Sequence, residues 1–138
     1  MTSISLLILR LGLAVTFFAH GSQQFAGWFG GRGLKETVKN WNNRYRIPIF
    51  IGVIGIFTEF FGSFALVLGL LTRLVALGLV IFMCVAIYCA HWGHGFFLAR
   101  RPGDANGIEF CLALVVISLA VFFGGAGVFS IDYLLAGK

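Results

Sequence analysis

The run from Ile51 to Leu71, IGVIGIFTEFFGSFALVLGLL, constrains this chain more than any other stretch. At helical rise about 20 residues cross a hydrocarbon core, and this run carries a single charge, Glu59, near its middle. An acid at that depth must be held neutral or paired, and intramembrane ionisable groups are by default candidates for function. On a helix, Gly52, Gly55, Glu59, Gly62 and Gly69 share one face, with Phe, Ile, Leu and Val on the others. A glycine stripe predicts close approach of a neighbouring backbone, which turns Glu59 away from lipid. Two readings of the acid follow: a hydrogen-bonded group that only fixes packing, or a buried proton or ligand site.

The rest of the chain agrees with a membrane setting. Of 138 residues, 59% are hydrophobic and 11% charged, and the mean hydropathy is +0.98, outside the range of soluble domains. The net charge of +5 therefore points to topology signals and lipid headgroups, not to nucleic acid. Cys84, Cys89 and Cys111 are odd in number, lie in apolar segments and form no Cys-x-x-Cys, so they read as small buried apolar residues. Arg10 interrupts the first apolar run and nothing basic precedes it, so the first segment is expected to stay as a helix and not to be cleaved.

Four apolar segments, about 4–26, 48–71, 74–98 and 107–129, are each long enough to span, with no aqueous-domain sequence left over. They predict an all-α fold: one integral membrane four-helix bundle over residues 1–138, with no strands of the transmembrane type. Between the first two segments, Leu34, Val38, Trp41 and Tyr45 recur at helical spacing opposite Lys35, Lys39, Asn42 and Arg46. That pattern predicts a short amphipathic helix in the headgroup plane. The Gly-Gly-Arg-Gly before it lacks the strand and Gly-Lys-Ser/Thr of a phosphate loop. The turn Gly69-Leu-Leu-Thr-Arg73 is so short that the helices it joins must be antiparallel neighbours.

Several polar residues fall inside or at the ends of these segments. Arg10 reads as an anchor snorkelling to an interface. His20 forms a stripe with Thr16, Gln23 and Gln24, suited either to a hydrogen-bonded core position or to a polar headgroup ligand. In the third segment Cys84, Tyr88 and His91 share a face, with His94 one turn on. His-x-x-His can chelate a metal, yet no carboxylate matches it on that segment, so no metal is expected. Asn106 followed by Glu109 resembles a capping box, and Asp132 is expected at the surface. By topology His20, His91, His94 and Glu109 gather near one membrane face, with Glu59 a turn or two deeper.

These residues carry a resemblance. The succession of Arg10, His20-Gly21, Gly27-Trp28-Phe29-Gly30-Gly31, Glu59-Phe-Phe-Gly62, Gly69-Leu-Leu-Thr-Arg73, His91, Gly95-Phe96-Phe97 and Gly107-Ile-Glu109 resembles the DoxX family of small four-helix bacterial membrane proteins. The resemblance covers nearly the whole chain, although Gln23-Gln24 stands where relatives often carry Lys after the His-Gly. It implies links with thiosulfate-to-quinone oxidoreduction, resistance to quinones and oxidants, and membrane-anchored oxidoreductase complexes.

The first functional expectation is a quinone-interacting membrane subunit of an oxidoreductase or oxidant-resistance system, with Glu59, His20 and His91 as catalytic candidates. Tyr88, His94 and Glu109 join those three as cofactor-binding candidates. Such chemistry needs an apolar slot, hydrogen-bonding groups for the quinone oxygens and groups that exchange protons. No flavin, iron-sulfur or nucleotide motif is seen, and haem ligation by His20 with His91 is not expected, so electrons would come from a partner subunit. Two rival expectations use the same residues: a structural or assembly subunit of a respiratory complex, and a small-solute or proton carrier. Expected partners are lipids with protein subunits or further copies of the chain. Arg32, Lys35, Lys39, Arg44, Arg46, Arg100 and Arg101 outnumber Arg73, Lys138 and Arg10, which places loops one and three on the cytoplasmic side of a bacterial inner membrane.

Overall fold

The apolar segments become helices whose ends are set by local hydrogen bonding. A computed structural model describes residues 2–137, and among them there are six α-helices and no strands. They are α1 (Ser3–Phe25), α2 (Leu34–Tyr45), α3 (Ile49–Leu68), α4 (Thr72–Ala86), α5 (Glu109–Gly124) and α6 (Ile131–Leu135). Helix α4 continues as a π turn, Ile87–His91, and a 3₁₀ turn, Trp92–His94. Three stretches are long and apolar enough to cross a membrane: Ser3–Phe25, Ile49–Leu68 and Thr72–His94.

The fourth expected span, over 107–129, forms only the shorter α5. Residues 107–109 are instead tied into the preceding loop, where the Gly107, Ile108 and Glu109 amides donate to the Phe97, Gly95 and Phe96 carbonyls. At the other end Gly125 leaves the helix with φ +79°.

Helices α1, α3, α4 and α5 contribute to one core, which includes Leu13, Phe17, Leu66, Leu79, Met83, Leu114 and Val121. Packing is uneven: α1 against α3 and α4 against α5 make the broad contacts, while α3 against α4 and α1 against α5 are narrower. The molecule is therefore two helix pairs joined along a seam.

The glycine stripe on α3 faces neighbours, as expected, but mostly side chains. A Cβ on Gly52 would meet Val38 and Trp41 of α2, one on Gly55 the Phe82 ring, and one on Gly62 the Val75 side chain. Helix α2 thus lays its apolar stripe on the first half of α3, not outward into lipid. Its last residues turn back through Arg46, in the left-handed region, and Asn42 Nδ2 donates to the Ile47 carbonyl at 2.9 Å.

Arg10 is not the snorkelling anchor that its position suggested. It is fully buried, at 0% exposure, because α1 runs past the end of α3 and leaves Arg10 level with that helix's last carbonyls. Its Nε donates to Leu66 O at 2.9 Å and Nη2 to Val67 O at 3.0 Å, while Nη1 donates to Ala126 O and Phe129 O at 2.6 and 2.9 Å. Gly69 makes room for this: it caps α3 at φ +67°, and a Cβ there would strike the guanidinium and Ser130.

Asp132 also departs from its expected surface role. The segment after α5 folds back, and its carboxylate accepts from the Leu71 and Thr72 amides at 2.7 and 2.8 Å, capping α4. Partial burial opposes its charge, but hydrogen bonds from Thr72 and Leu71 and the nearby Arg10 cation outweigh it and hold the carboxyl below its ordinary range. A group depressed on folding adds stability above its unfolded pKa and loses it as pH falls through the folded one.

Two outcomes follow for thermal melts in detergent. Arg10→Met should lower stability by roughly 3 kcal/mol or more, because four carbonyls lose a charged donor at once. Wild-type stability should decline as pH drops below about 4, and Asp132→Asn should flatten that decline.

Candidate functional site

The seam between the two helix pairs opens into a cavity of about 300 Å³. Phe17, His20 and Gln24 of α1, Trp41 and Tyr45 of α2, Glu59 of α3, Phe82 and Met83 of α4, His91 of the π turn, and Phe110 and Cys111 of α5 are on its walls. Most of the lining is aromatic or aliphatic, with a few polar groups converging, which is the usual make-up of a ligand site.

Glu59 is placed by a close crossing. A Cβ on Gly21 of α1 would lie 2.8 Å from Phe60 N and 2.9 Å from Phe60 Cα, so only glycine lets the two backbones approach this closely. Around that contact Phe60 stacks on Phe25 at 4.7 Å and on Phe18 at 6.0 Å, with Trp28 edge-on at 6.4 Å. The rings clamp Phe60, and its neighbour Glu59 is directed into the cavity. The crossing falls at the middle of α3 but in the last turns of α1, so the acid is closer to the loop side than its place in α3 suggests.

Glu59 is 1% exposed, and its Oε2 has no hydrogen-bond partner. The Gln24 side chain comes within interaction range of the carboxyl, and Gln24 Oε1 is likewise buried without a partner. Cys111, buried on α5, lies within electrostatic range of Glu59. Unmade hydrogen bonds in a buried site are costly, so two of them side by side call for an explanation.

Of the residues singled out in sequence, His20, Glu59 and His91 share the cavity. His20 is exposed on its outer side and sets its ring 6.0 Å from Phe110. His91 is half-buried, and its Nδ1 sits 2.9 Å from the Asn106 carbonyl oxygen. A carbonyl only accepts, so Nδ1 carries a proton and donates it to Asn106 O, which orients the ring with Nε2 free.

Tyr88, His94 and Glu109 do not line the cavity. Tyr88 is 80% exposed and continues the outward face of the exposed Cys84 one turn earlier, whereas His91, at the end of the π turn, reaches the cavity. His94 lies in the exposed 3₁₀ turn. The Glu109 carboxylate accepts from Leu98 N at 3.1 Å and Asn106 Oδ1 from Ala99 N at 2.9 Å, so this pair closes the loop in place of a capping box. Gln24 and Cys111 are the site residues that sequence reasoning passed over, although Gln24 stood in the His20 stripe.

A family model described as DoxX matches residues 5–92. The chain belongs to the DoxX family. The matched stretch supplies His20, Gln24, Glu59 and His91, whereas Phe110 and Cys111 lie beyond it. A Haemophilus influenzae protein, itself named only as an uncharacterized protein, is 33% identical over 136 residues, or 97% of this DoxX chain and 85% of that relative. No solved structure matches the chain.

If the Gly21 crossing positions Glu59, Gly21→Ala should destabilise by about 1–3 kcal/mol through overpacking. Gly12→Ala, with no atom within 4 Å of the added methyl, should be neutral or raise the melting temperature. Equal melts for the two variants would show that the helices are not held at this contact.

Proposed function

We propose that this DoxX protein is a quinone-interacting membrane subunit, and that the seam cavity is the ring site. The observation that carries the reading is the Glu59 carboxyl: almost wholly buried, turned into an aromatic cavity, with one oxygen unpartnered. A volume of about 300 Å³ suits a single ring with its substituent running out along the seam, at the small end of ligand pockets.

The donor and acceptor set also fits. Phe17, Trp41, Phe82 and Phe110 offer faces and edges to a flat ring, while Glu59, Gln24, His20 and His91 supply polar contacts for ring oxygens. A quinone, when bound, supplies the two-electron chemistry. Glu59 holds or gives up a proton in a dry site, and His20, reaching the outer surface, connects that proton to the exterior. His91 is oriented by Asn106, which fixes its tautomer.

In this reading α5 completes a four-helix membrane bundle, and the basic residues of loops one and three lie at the cytoplasmic face of a bacterial inner membrane. Tyr88, His94 and Glu109 serve the outer surface and the loop. Electrons are exchanged with a partner subunit.

Glu59→Gln keeps shape and most hydrogen bonds but cannot exchange a proton. It should cut quinone-linked turnover, or the oxidant-resistance phenotype, by roughly 100-fold or more, and His20→Ala should also lose activity, both with folded protein present. Full activity in a stably expressed Glu59→Gln variant would leave Glu59 with packing alone.

A further inference from the structure

At the end of the molecule opposite Gly21 and His91 lies a second cavity, an open groove of about 820 Å³. Its walls are the first turns of α1 and α4, the glycine-rich segment after α5 and the start of α6. Two groups of opposite charge stand in it. The half-buried Asp132 accepts Leu71 N on Oδ1 and Thr72 N on Oδ2, and because a carboxylate has about four lone-pair sites, each oxygen can accept once more. Arg73, in the first turn of α4, is exposed and reaches across the end of α5, where a Cβ on Gly125 would lie 3.4 Å from its Nη2 and 3.5 Å from its Nε. Gly125, at φ +79°, thus gives the guanidinium a bed without a side chain. Among the described residues Arg73 has no ion-pair or hydrogen-bond partner, and Asp132 is turned to the two amides instead.

A cation and an anion on one wall that do not pair with each other can be bridged by a molecule carrying both charges. A free anion would meet the Asp132 carboxylate, and a free cation would meet Arg73 and, behind Asp132, the Arg10 guanidinium. A zwitterion whose charges are separated by two carbons satisfies both groups. The rim is apolar, since Leu71, Leu74 and Val128 are 58%, 65% and 43% exposed. Leu74 also begins the long apolar stretch Thr72–His94, so a hydrocarbon chain attached to the zwitterion continues along the outer side of α4. An arginine at a helix end ordinarily reaches headgroups of any kind. Here the carboxylate beside it and the glycine beneath it add a preference. We infer that the groove binds the phosphoethanolamine headgroup of a membrane phospholipid, with the phosphate on Arg73 and the primary ammonium donating to Asp132. The assignment is independent of the ring-site reading, because the two cavities share no residue.

The test uses purified full-length protein, delipidated in detergent, with lipids of one acyl composition added singly and bound lipid counted by native mass spectrometry. The series is phosphatidylethanolamine, its N-methyl and N,N-dimethyl derivatives, phosphatidylcholine and phosphatidylglycerol. One phosphatidylethanolamine should bind roughly tenfold more tightly than phosphatidylcholine or phosphatidylglycerol, the scale of one charge-assisted hydrogen bond. The largest drop should fall at the last methylation, which removes the final N–H donor. Arg73→Gln, at an exposed position, should keep its melting temperature and bind phosphatidylethanolamine about tenfold more weakly. Soluble sn-glycero-3-phosphoethanolamine should compete only at roughly hundredfold higher concentration, because it has no chains to bury. Equal affinities across the series would mean annular lipid only and would overturn the inference, as would tightest binding of phosphatidylglycerol. Unchanged affinity in folded Arg73→Gln would overturn the placement of the phosphate. Competition by the soluble headgroup at matched concentration would overturn the assignment to a lipid.

Discussion

The Arg10 guanidinium is the interaction on which the remaining structure depends. An α-helix ends with carbonyls that no later amide satisfies, and in an apolar setting each is a liability. Arg10 donates to two carbonyls at the end of α3, Leu66 O, which also accepts from the Gly69 amide, and Val67 O, and to two more in the irregular segment after α5. One cation thereby ties together α1, the end of α3 and the segment that returns under the molecule. Asp132 extends the tie, since its own amide donates to Gly69 O while its carboxylate caps α4. The pair turns three chain ends into a single floor.

The opposite end of the molecule is organised by approach instead of charge. Gly21 lets α1 and α3 meet backbone to backbone, and the rings of Phe18, Phe25 and Phe60 hold that meeting in place. Tight packing on one side of Glu59 leaves the cavity on its other side, towards α4 and α5. The floor and the crossing are complementary: charge fixes where α1 begins its run along α3, and glycine fixes how near it comes at the end. A shift at either contact moves Glu59.

Hydropathy made the helices legible, and the spacing of Glu59, His20 and His91 brought out three residues that share one cavity. These succeeded because they depend on length and on helical phase, which a sequence carries directly. Arg10 was misread since nothing local announces that α1 overshoots α3; its burial is a matter of tertiary register. Tyr88 stays with the exposed Cys84 while His91 reaches the cavity, because the π turn changes the helix phase between them without a composition signal, whereas a proline or glycine would have warned of it. Asn106 and Glu109 have the spacing of a helix cap, yet their carboxyl and amide groups meet loop amides at Leu98 and Ala99. Gln24 was visible as part of a polar stripe, but only the fold shows that it stands beside Glu59. The fold class was thus written in periodicity, while the polar network was written in contacts between segments far apart in the chain.

The two broad helix pairings and the narrower seam between them have a mechanical consequence. Elastic deformation concentrates where the fewest contacts must be broken, so slow breathing of this molecule opens along the seam before it shears either pair. The cavity lies on that line of compliance. On the ring-site reading proposed above, a flat, lipid-soluble guest would enter sideways by a small parting of two stiff halves.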